Sequence, residues 1–170
     1  MPRAIRAYVR WVDAINRRIG RSVMYLIFFM MGVLIYSTVA RIFFGVSPIW
    51  VVEVAQMTMA AYYLLGGGYS MQLDAHVRMD LLYGRWSPRR QAFSDTLTAV
   101  FLVFYLVVLL YGGISSAQYA IEYDQRNYSA WAPLMWPIKV VMAAGIFLTL
   151  LQAIAIFFKD LARVRGKSLS

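Results

Sequence analysis

Long apolar segments alternate with short polar connections along the chain, and this pattern predicts four membrane-spanning helices. The apolar segments cover residues 22–44, 50–73, 92–115 and 137–158. Each has about the 20 residues that a helix needs to cross a hydrocarbon core of roughly 30 Å. Helical periodicity in the third segment continues to residue 121, beyond the length that the hydrocarbon requires. We therefore expect one all-α integral membrane domain that occupies residues 1–170.

The first 21 residues show a different pattern, with apolar and basic residues on separate faces of a helix. The apolar positions recur every three or four residues: Ile5, Val9, Val12, Ile15 and Ile19. This periodicity predicts a cationic amphipathic helix over residues 3–21 that lies in the membrane interface, and it disfavours a basic tail that only sets orientation. The apolar run after it exceeds the roughly 7–15 residues of a signal peptide, so we expect a retained helix.

The composition agrees with a membrane protein, and the charge pattern predicts its orientation. Hydrophobic residues make up 61% of the chain and charged residues 15%, with a net charge of +9. Of 17 basic residues, 14 fall within residues 3–21, 78–90 and 159–167. Because lysine and arginine collect on the cytoplasmic side of a bilayer, both termini are predicted to be cytoplasmic, including the tail at 159–170. The same charge favours contact with anionic lipids, and no nucleic-acid-binding pattern accompanies it.

Residues suited to catalysis or metal binding are scarce. The chain has no cysteine and a single histidine, His76, which excludes a disulfide framework and bis-histidine haem ligation within one chain. No nucleophile motif surrounds this histidine, so hydrolytic chemistry is unsupported. We therefore expect that this chain is not an enzyme and that it holds no metal or cofactor of its own.

Three charged residues lie near the ends of the apolar segments and outside the basic stretches. Glu53 follows Trp50 by three residues, which places it roughly 5 Å into the second segment. Arg41 lies at a similar depth across a tight turn, and Lys139 begins the fourth segment. Because an unpaired charge in a membrane is costly, we expect an Arg41–Glu53 ion pair, with Lys139 as a third member, or the docking of a partner protein. Proton or ion coupling is less favoured, since coupling sites usually lie near the midplane.

Other residue groups have predicted structural roles. Small residues suited to close helix packing are Gly66, Gly67, Gly68, Gly112, Gly113 and Gly145. Aromatic anchors for the membrane–water interface are Trp11, Trp50, Trp86, Trp131 and Trp136. In the loop after the second segment, His76 and Asp80 are four residues apart, with Arg78 between them, so they are within reach of each other on a helix. A pair that orients this inner loop is favoured over a pH switch.

Four features of the chain, taken in order, resemble one known family. Two are the stretches Leu73-Asp74-Ala75-His76-Val77-Arg78-Met79-Asp80-Leu81-Leu82-Tyr83-Gly84 and Trp136-Pro137-Ile138-Lys139. The others are Arg41 at the end of the first segment, and Trp50 with Glu53 at the entry to the second. Over about residues 15–158 the chain resembles the small membrane subunit of tripartite ATP-independent periplasmic (TRAP) transporters, the DctQ-like proteins.

This resemblance implies a role in a larger assembly. In such transporters a large permease subunit holds the substrate and sodium sites, and a periplasmic binding protein delivers a solute that typically bears a carboxylate. The small subunit packs against the large one and braces it in the bacterial inner membrane. The resemblance therefore implies sodium-coupled secondary transport in which sodium is bound by the partner subunit and not by this chain.

A self-sufficient four-helix transporter or channel, acting as a homo-oligomer, is the main alternative. It requires an acid near the membrane midplane, and Glu53 is too shallow for that role. A membrane anchor that holds haem or quinone is a third interpretation, and the lone histidine argues against haem. Solute uptake by the purified chain alone would favour the self-sufficient transporter.

Overall fold

Five helices form the protein in the computed structural model, which describes residues 3–73 and 88–164. In chain order they are α1 (Arg3–Val23), α2 (Leu26–Phe44), α3 (Val51–Gln72), α4 (Pro88–Glu122) and α5 (Trp136–Val164). Within these two ranges the one strand-like pairing is a bridge between Arg126 and Leu134, in the loop that joins α4 to α5. The described residues do not include His76, Arg78, Asp80 and Trp86.

The helix ends follow from local backbone chemistry. Met24 and Tyr25 form a turn that separates α1 from α2. Gly45 ends α2 with a φ of 64°, in the left-handed region that glycine adopts at little cost, and its N–H donates to the carbonyl of Arg41 at 3.2 Å. Helices α4 and α5 extend beyond the spans predicted at 92–115 and 137–158. Backbone hydrogen bonds set the length of a helix, whereas hydrocarbon thickness sets only the part that spans.

Helix α5 lies at the centre of the packing and contacts α1, α3 and α4. Its buried residues Ile146, Leu150 and Ala153 form a core cluster with Leu106 of α4. Helix α3 also has three neighbours, namely α1, α2 and α5. By contrast, α2 contacts α3 and, less extensively, α1. The bundle is therefore built around α3 and α5, and α2 lies at its edge.

Three stretches of the described residues are long and apolar enough to cross a membrane: Ile5–Phe44, Thr96–Glu122 and Trp136–Ala162. The predicted all-helical membrane fold is therefore confirmed. The first stretch contains both α1 and α2, and α3 is not among the three. Although α3 has 22 residues, Glu53, Gln56 and three consecutive glycines lower its mean hydropathy. The count of four spans and the cytoplasmic termini thus stay predictions.

Large apolar side chains cover the outside of α2 and α4. Phe43, Phe44 and Tyr111 are each more than three-quarters exposed. Such a surface is unfavourable in water and is expected where lipid or a partner protein covers the helices. The exterior therefore agrees with a membrane environment.

The amphipathic helix α1 packs against the chain itself. Val9 and Val12 are almost fully buried and form a cluster with Ala155 of α5. The remaining residues of the predicted apolar face, Ile5, Ile15 and Ile19, are half-buried. That face is therefore directed at the bundle and not at lipid alone, while the interfacial position of α1 stays a prediction.

Candidate functional site

Two groups of polar residues lie in the apolar bundle, one at each end. Helices α3 and α5 run in the same direction, since the close approach of Leu64 to Gly145 is followed one turn later by that of Gly67 to Thr149. Their N-termini lie at the end of the bundle that also carries the turn after α2, which we call the turn end. The sequence-predicted residues at this end, which we call the turn-end charges, are Arg41, Glu53 and Lys139.

Both cations of the turn end bind neutral groups of the chain. The Nε of Arg41 donates to Oγ of Ser47 at 3.0 Å, within the turn that follows α2. The Nζ of Lys139 donates to Oε1 of Gln125 at 2.6 Å and to the carbonyl of Ser116 at 3.4 Å. Lys139 therefore ties the start of α5 to α4 and to the loop between them.

Glu53 is buried at the turn end, and no cation among residues 3–73 and 88–164 forms an ion pair with it. It is 8% exposed, and its Oε2 has no hydrogen-bond partner. Within the described part of the chain no ion pair joins it to Arg41 or to Lys139, because both cations are held by nearer groups. The structure of the single chain thus does not contain the predicted Arg41–Glu53 pair. Docking of a partner on these residues stays a prediction.

A second polar group links α1 to α5 near the opposite end of the bundle. We call it the arm network, and its members are Asp13, Asn16, Gln152 and Lys159. The Nδ2 of Asn16 donates to Oε1 of Gln152 at 2.8 Å, and the Nε2 of Gln152 donates to Oδ1 of Asp13 at 2.9 Å. The Nζ of Lys159 donates to Oδ2 of Asp13 at 2.8 Å and forms an ion pair with it. The one acid of α1 is therefore neutralised by a cation of α5.

The arm network is embedded in close packing. Asn16 and Gln152 are 1% and 0% exposed. The Oδ1 of Asn16 has no partner and lies against Gly68 of α3, where an added Cβ would be 2.7 Å from it. The hydroxyl of Tyr8 donates to the carbonyl of Leu151 at 3.2 Å. A helix held by several hydrogen bonds, of which the Asn16–Gln152 bond is buried, is part of the folded core and not a loose tail.

Charge clustering along the sequence does not identify the arm network. Asp13 and Lys159 each lie among basic residues, where they add nothing distinctive to the pattern. The available signals were two amides: Asn16 continues the stripe of Val9 and Val12, and Gln152 interrupts an apolar segment. A polar residue on each of two apolar faces predicts a hydrogen bond between them once the two helices are known to be neighbours.

The structure brings most of the predicted glycines to helix contacts. Those with another helix within van der Waals distance of an added Cβ are Gly67, Gly68, Gly113 and Gly145. At Gly145 an added Cβ would be 2.7 Å from the carbonyl carbon of Leu64, so α3 and α5 approach there through their backbones. Gly66 and Gly112 face open space. Gly20, which the sequence did not single out, lies against the ring of Tyr69.

The described tryptophans lie at or near the surface. Trp11, Trp131 and Trp136 are exposed, and Trp50 is half-buried. The ring of Trp50 stacks on Tyr36 with 6.0 Å between their centres, which joins the start of α3 to α2. Their role as membrane-interface anchors stays a prediction.

Comparison with known proteins identifies the family of these helices. The family model for tripartite ATP-independent periplasmic transporters, DctQ component, matches residues 30–163. The match covers most of α2 and α5 and all of α3 and α4. The chain belongs to the DctQ family. Among proteins with curated functions, none matches it.

Membership in the DctQ family confirms the predicted resemblance. DctQ proteins are the small membrane components of TRAP transporters, a family of transporter components and not of enzymes, and the chain is a multi-pass inner-membrane protein. Members work with a large permease and a periplasmic binding protein. The match begins after α1, so the arm network joins a helix outside the matched range to one within it.

Proposed function

We propose that this DctQ chain braces a large permease subunit during sodium-coupled uptake of a carboxylate-bearing solute delivered by a periplasmic binding protein. The observation that carries the proposal is the family match over α2 to α5. Sodium and solute bind to the permease and not to this chain. The packing supports a bracing role, since the two central helices are joined by backbone contacts that leave little freedom to slide.

The proposed topology has four spans, with both termini in the cytoplasm beside anionic lipids. The basic stretches support this orientation. As the fourth span we include α3, which contacts α1, α2 and α5. A helix with three protein neighbours exposes less surface to lipid, so its lower mean hydropathy is tolerated.

Within this assembly, we propose that Glu53 receives a basic residue of the large subunit. Its buried Oε2 lacks a partner, and both neighbouring cations of the chain bind elsewhere. A charge without a partner in a membrane is unfavourable, and a cation from the permease would relieve it. This assigns the turn end to the contact between subunits.

The test is co-purification of the tagged chain with its permease after Glu53→Gln. Because loss of one member of a buried charge pair costs about 2–5 kcal/mol, we expect recovery of the permease to fall by at least about tenfold. Glu122→Gln is the matched control, because Glu122 is an exposed acid at the C-terminal end of α4. Undiminished recovery after Glu53→Gln would show that Glu53 is not part of the contact.

Reconstitution in vesicles tests the transport role separately. The purified chain alone should take up no solute, and addition of the permease and the binding protein should give uptake that depends on a sodium gradient. Uptake by the chain alone would instead support the alternative of a homo-oligomeric transporter. Uptake by the permease and binding protein without this chain would contradict the bracing role.

A further inference from the structure

A shallow cleft at the junction of α1 and α2 has the composition of an anion site. It has a volume of about 370 Å³ and is lined by Ala14, Arg17, Arg18, Arg21, Ser22 and Tyr25. All three arginines are exposed, and no acidic residue lines the cleft. Three guanidinium groups within two helical turns repel one another, and a bound anion would offset that repulsion.

The chain itself does not neutralise this cleft. Asp13, the one acid of α1, is bound to Lys159 and Gln152 of α5. The hydroxyl of Ser22 donates to the carbonyl of Arg18 at 3.1 Å. Within the described residues, none of the three guanidinium groups has a carboxylate within ion-pair distance. The charge of the cleft is therefore available to a ligand.

The surroundings of the cleft suit a lipid better than a soluble anion. Tyr25 lines the cleft, is 69% exposed and is followed directly by α2. Phe28 and Phe29 of that helix are also exposed. Cationic side chains therefore lie beside an apolar surface, and a phospholipid has a phosphate for the first and acyl chains for the second.

We propose that the cleft binds the phosphodiester headgroup of an anionic phospholipid. Arg17, Arg18 and Arg21 donate to the phosphate oxygens, and Tyr25 packs against the part of the lipid where the acyl chains begin. Guanidinium groups bind phosphate oxygens through paired, charge-assisted hydrogen bonds, which makes such a site stronger than general attraction to a charged surface. The proposal goes beyond the transport role and does not depend on it.

The decisive test compares two double variants that remove the same charge from the same helix. Arg17→Gln/Arg21→Gln changes the cleft. Arg6→Gln/Arg10→Gln is the control, with two exposed arginines at the same spacing outside it. Binding of phosphatidylglycerol to the purified chain in neutral detergent is measured by native mass spectrometry. We expect affinity to fall about tenfold in the cleft variant and at most about twofold in the control.

Two further binding measurements distinguish a defined site from general attraction of the lipid to positive charge. Arg17→Lys/Arg21→Lys keeps the charge but cannot form paired hydrogen bonds, so binding should weaken about threefold. Inorganic phosphate at the same concentration should not displace phosphatidylglycerol, and phosphatidylcholine should bind less tightly. Equal losses in the two glutamine variants, unchanged binding in the lysine variant, or displacement by inorganic phosphate would each overturn the proposal of a lipid headgroup site.

Discussion

The two ends of the bundle hold buried polar groups in opposite states. In the arm network the carboxylate of Asp13 binds both Lys159 and Gln152. At the turn end the carboxylate oxygen Oε2 of Glu53 is buried alone. Asp13 is half-buried and Glu53 is buried, so neither carboxylate is fully open to solvent. The difference is whether the chain supplies the opposite charge.

This difference distinguishes a carboxylate that stabilises the fold of the chain from one that is open to a partner protein. A paired carboxylate fixes α1 to α5 and makes α1 part of the chain's own structure. A buried carboxylate without a cation is unfavourable in the single chain and becomes favourable when another protein supplies one. A carboxylate therefore contributes to internal structure at one end, and at the other end we propose that it contributes to an interface.

The largest effect on stability is expected where α3 and α5 cross at Leu64 and Gly145, between the two ends of the bundle. Gly145→Ala places a Cβ 2.7 Å from the carbonyl carbon of Leu64, so α3 and α5 must separate. We expect the free energy of unfolding to fall by about 2 kcal/mol. Gly112→Ala is the control, because Gly112 faces open space, and it should be neutral or stabilising by up to about 1 kcal/mol. Thermal unfolding in detergent measures both, and equal effects would show that the crossing is loose.

An intermediate effect tests the comparison of the two ends directly. Asp13→Asn removes the ion pair with Lys159 and should lower the free energy of unfolding by about 1 kcal/mol. Glu53→Gln, the same chemical change, should leave the stability of the single chain unchanged or raise it by up to about 1 kcal/mol, because it removes an unpaired buried charge. Equal destabilisation by both changes would contradict the view that Asp13 is paired within the chain and Glu53 is not.

Disulfide formation gives a second, local test of Asp13→Asn and Glu53→Gln. The chain has no cysteine of its own, so only introduced thiols can react. Val12→Cys/Ala155→Cys places thiols on the packed faces of α1 and α5. Asp13→Asn in this background should slow disulfide formation, since α1 leaves α5 more often, whereas Glu53→Gln should not change its rate. An unchanged rate after Asp13→Asn would mean that apolar packing alone holds α1.

The smallest effect concerns a single hydroxyl beside the arm network. Tyr8→Phe removes the hydrogen bond to the carbonyl of Leu151 but keeps the edge contact with the ring of Phe158. We expect a loss of about 0.5–1 kcal/mol in the free energy of unfolding, by thermal unfolding against the wild-type chain. A loss as large as that of Gly145→Ala would indicate that the ring position also depends on the hydroxyl.

The sequence predicted the helical membrane fold because apolar runs of span length have few other solutions. Residue type and spacing along the chain also predicted close helix packing at Gly145 and a similar membrane depth for Arg41 and Glu53. The partners of these charges did not follow, because Arg41 binds Ser47 in the turn after α2 and not Glu53 on the next helix. Spacing restricts which residues are near one another, and side-chain competition decides which of them bind.

The arm network was missed for a related reason. Its hydrogen bonds join α1 to α5, which lie at opposite ends of the sequence. Periodicity describes one helix at a time, so it showed that α1 has an apolar face without showing what covers it. Asn16 and Gln152 are recognisable as partners only once α1 and α5 are known to be neighbours.

The contacts of α1 also set an order of assembly during synthesis. The arm network joins residues separated by 136 to 146 positions, so α1 leaves the ribosome long before its partners on α5 exist. Contacts this distant in sequence form late. Until α5 is made, α1 can contact only α2 and α3, and Val9, Val12 and Asp13 lack their partners on α5. The first helix to be made is therefore among the last to complete its contacts, because synthesis of α5 supplies the remaining partners.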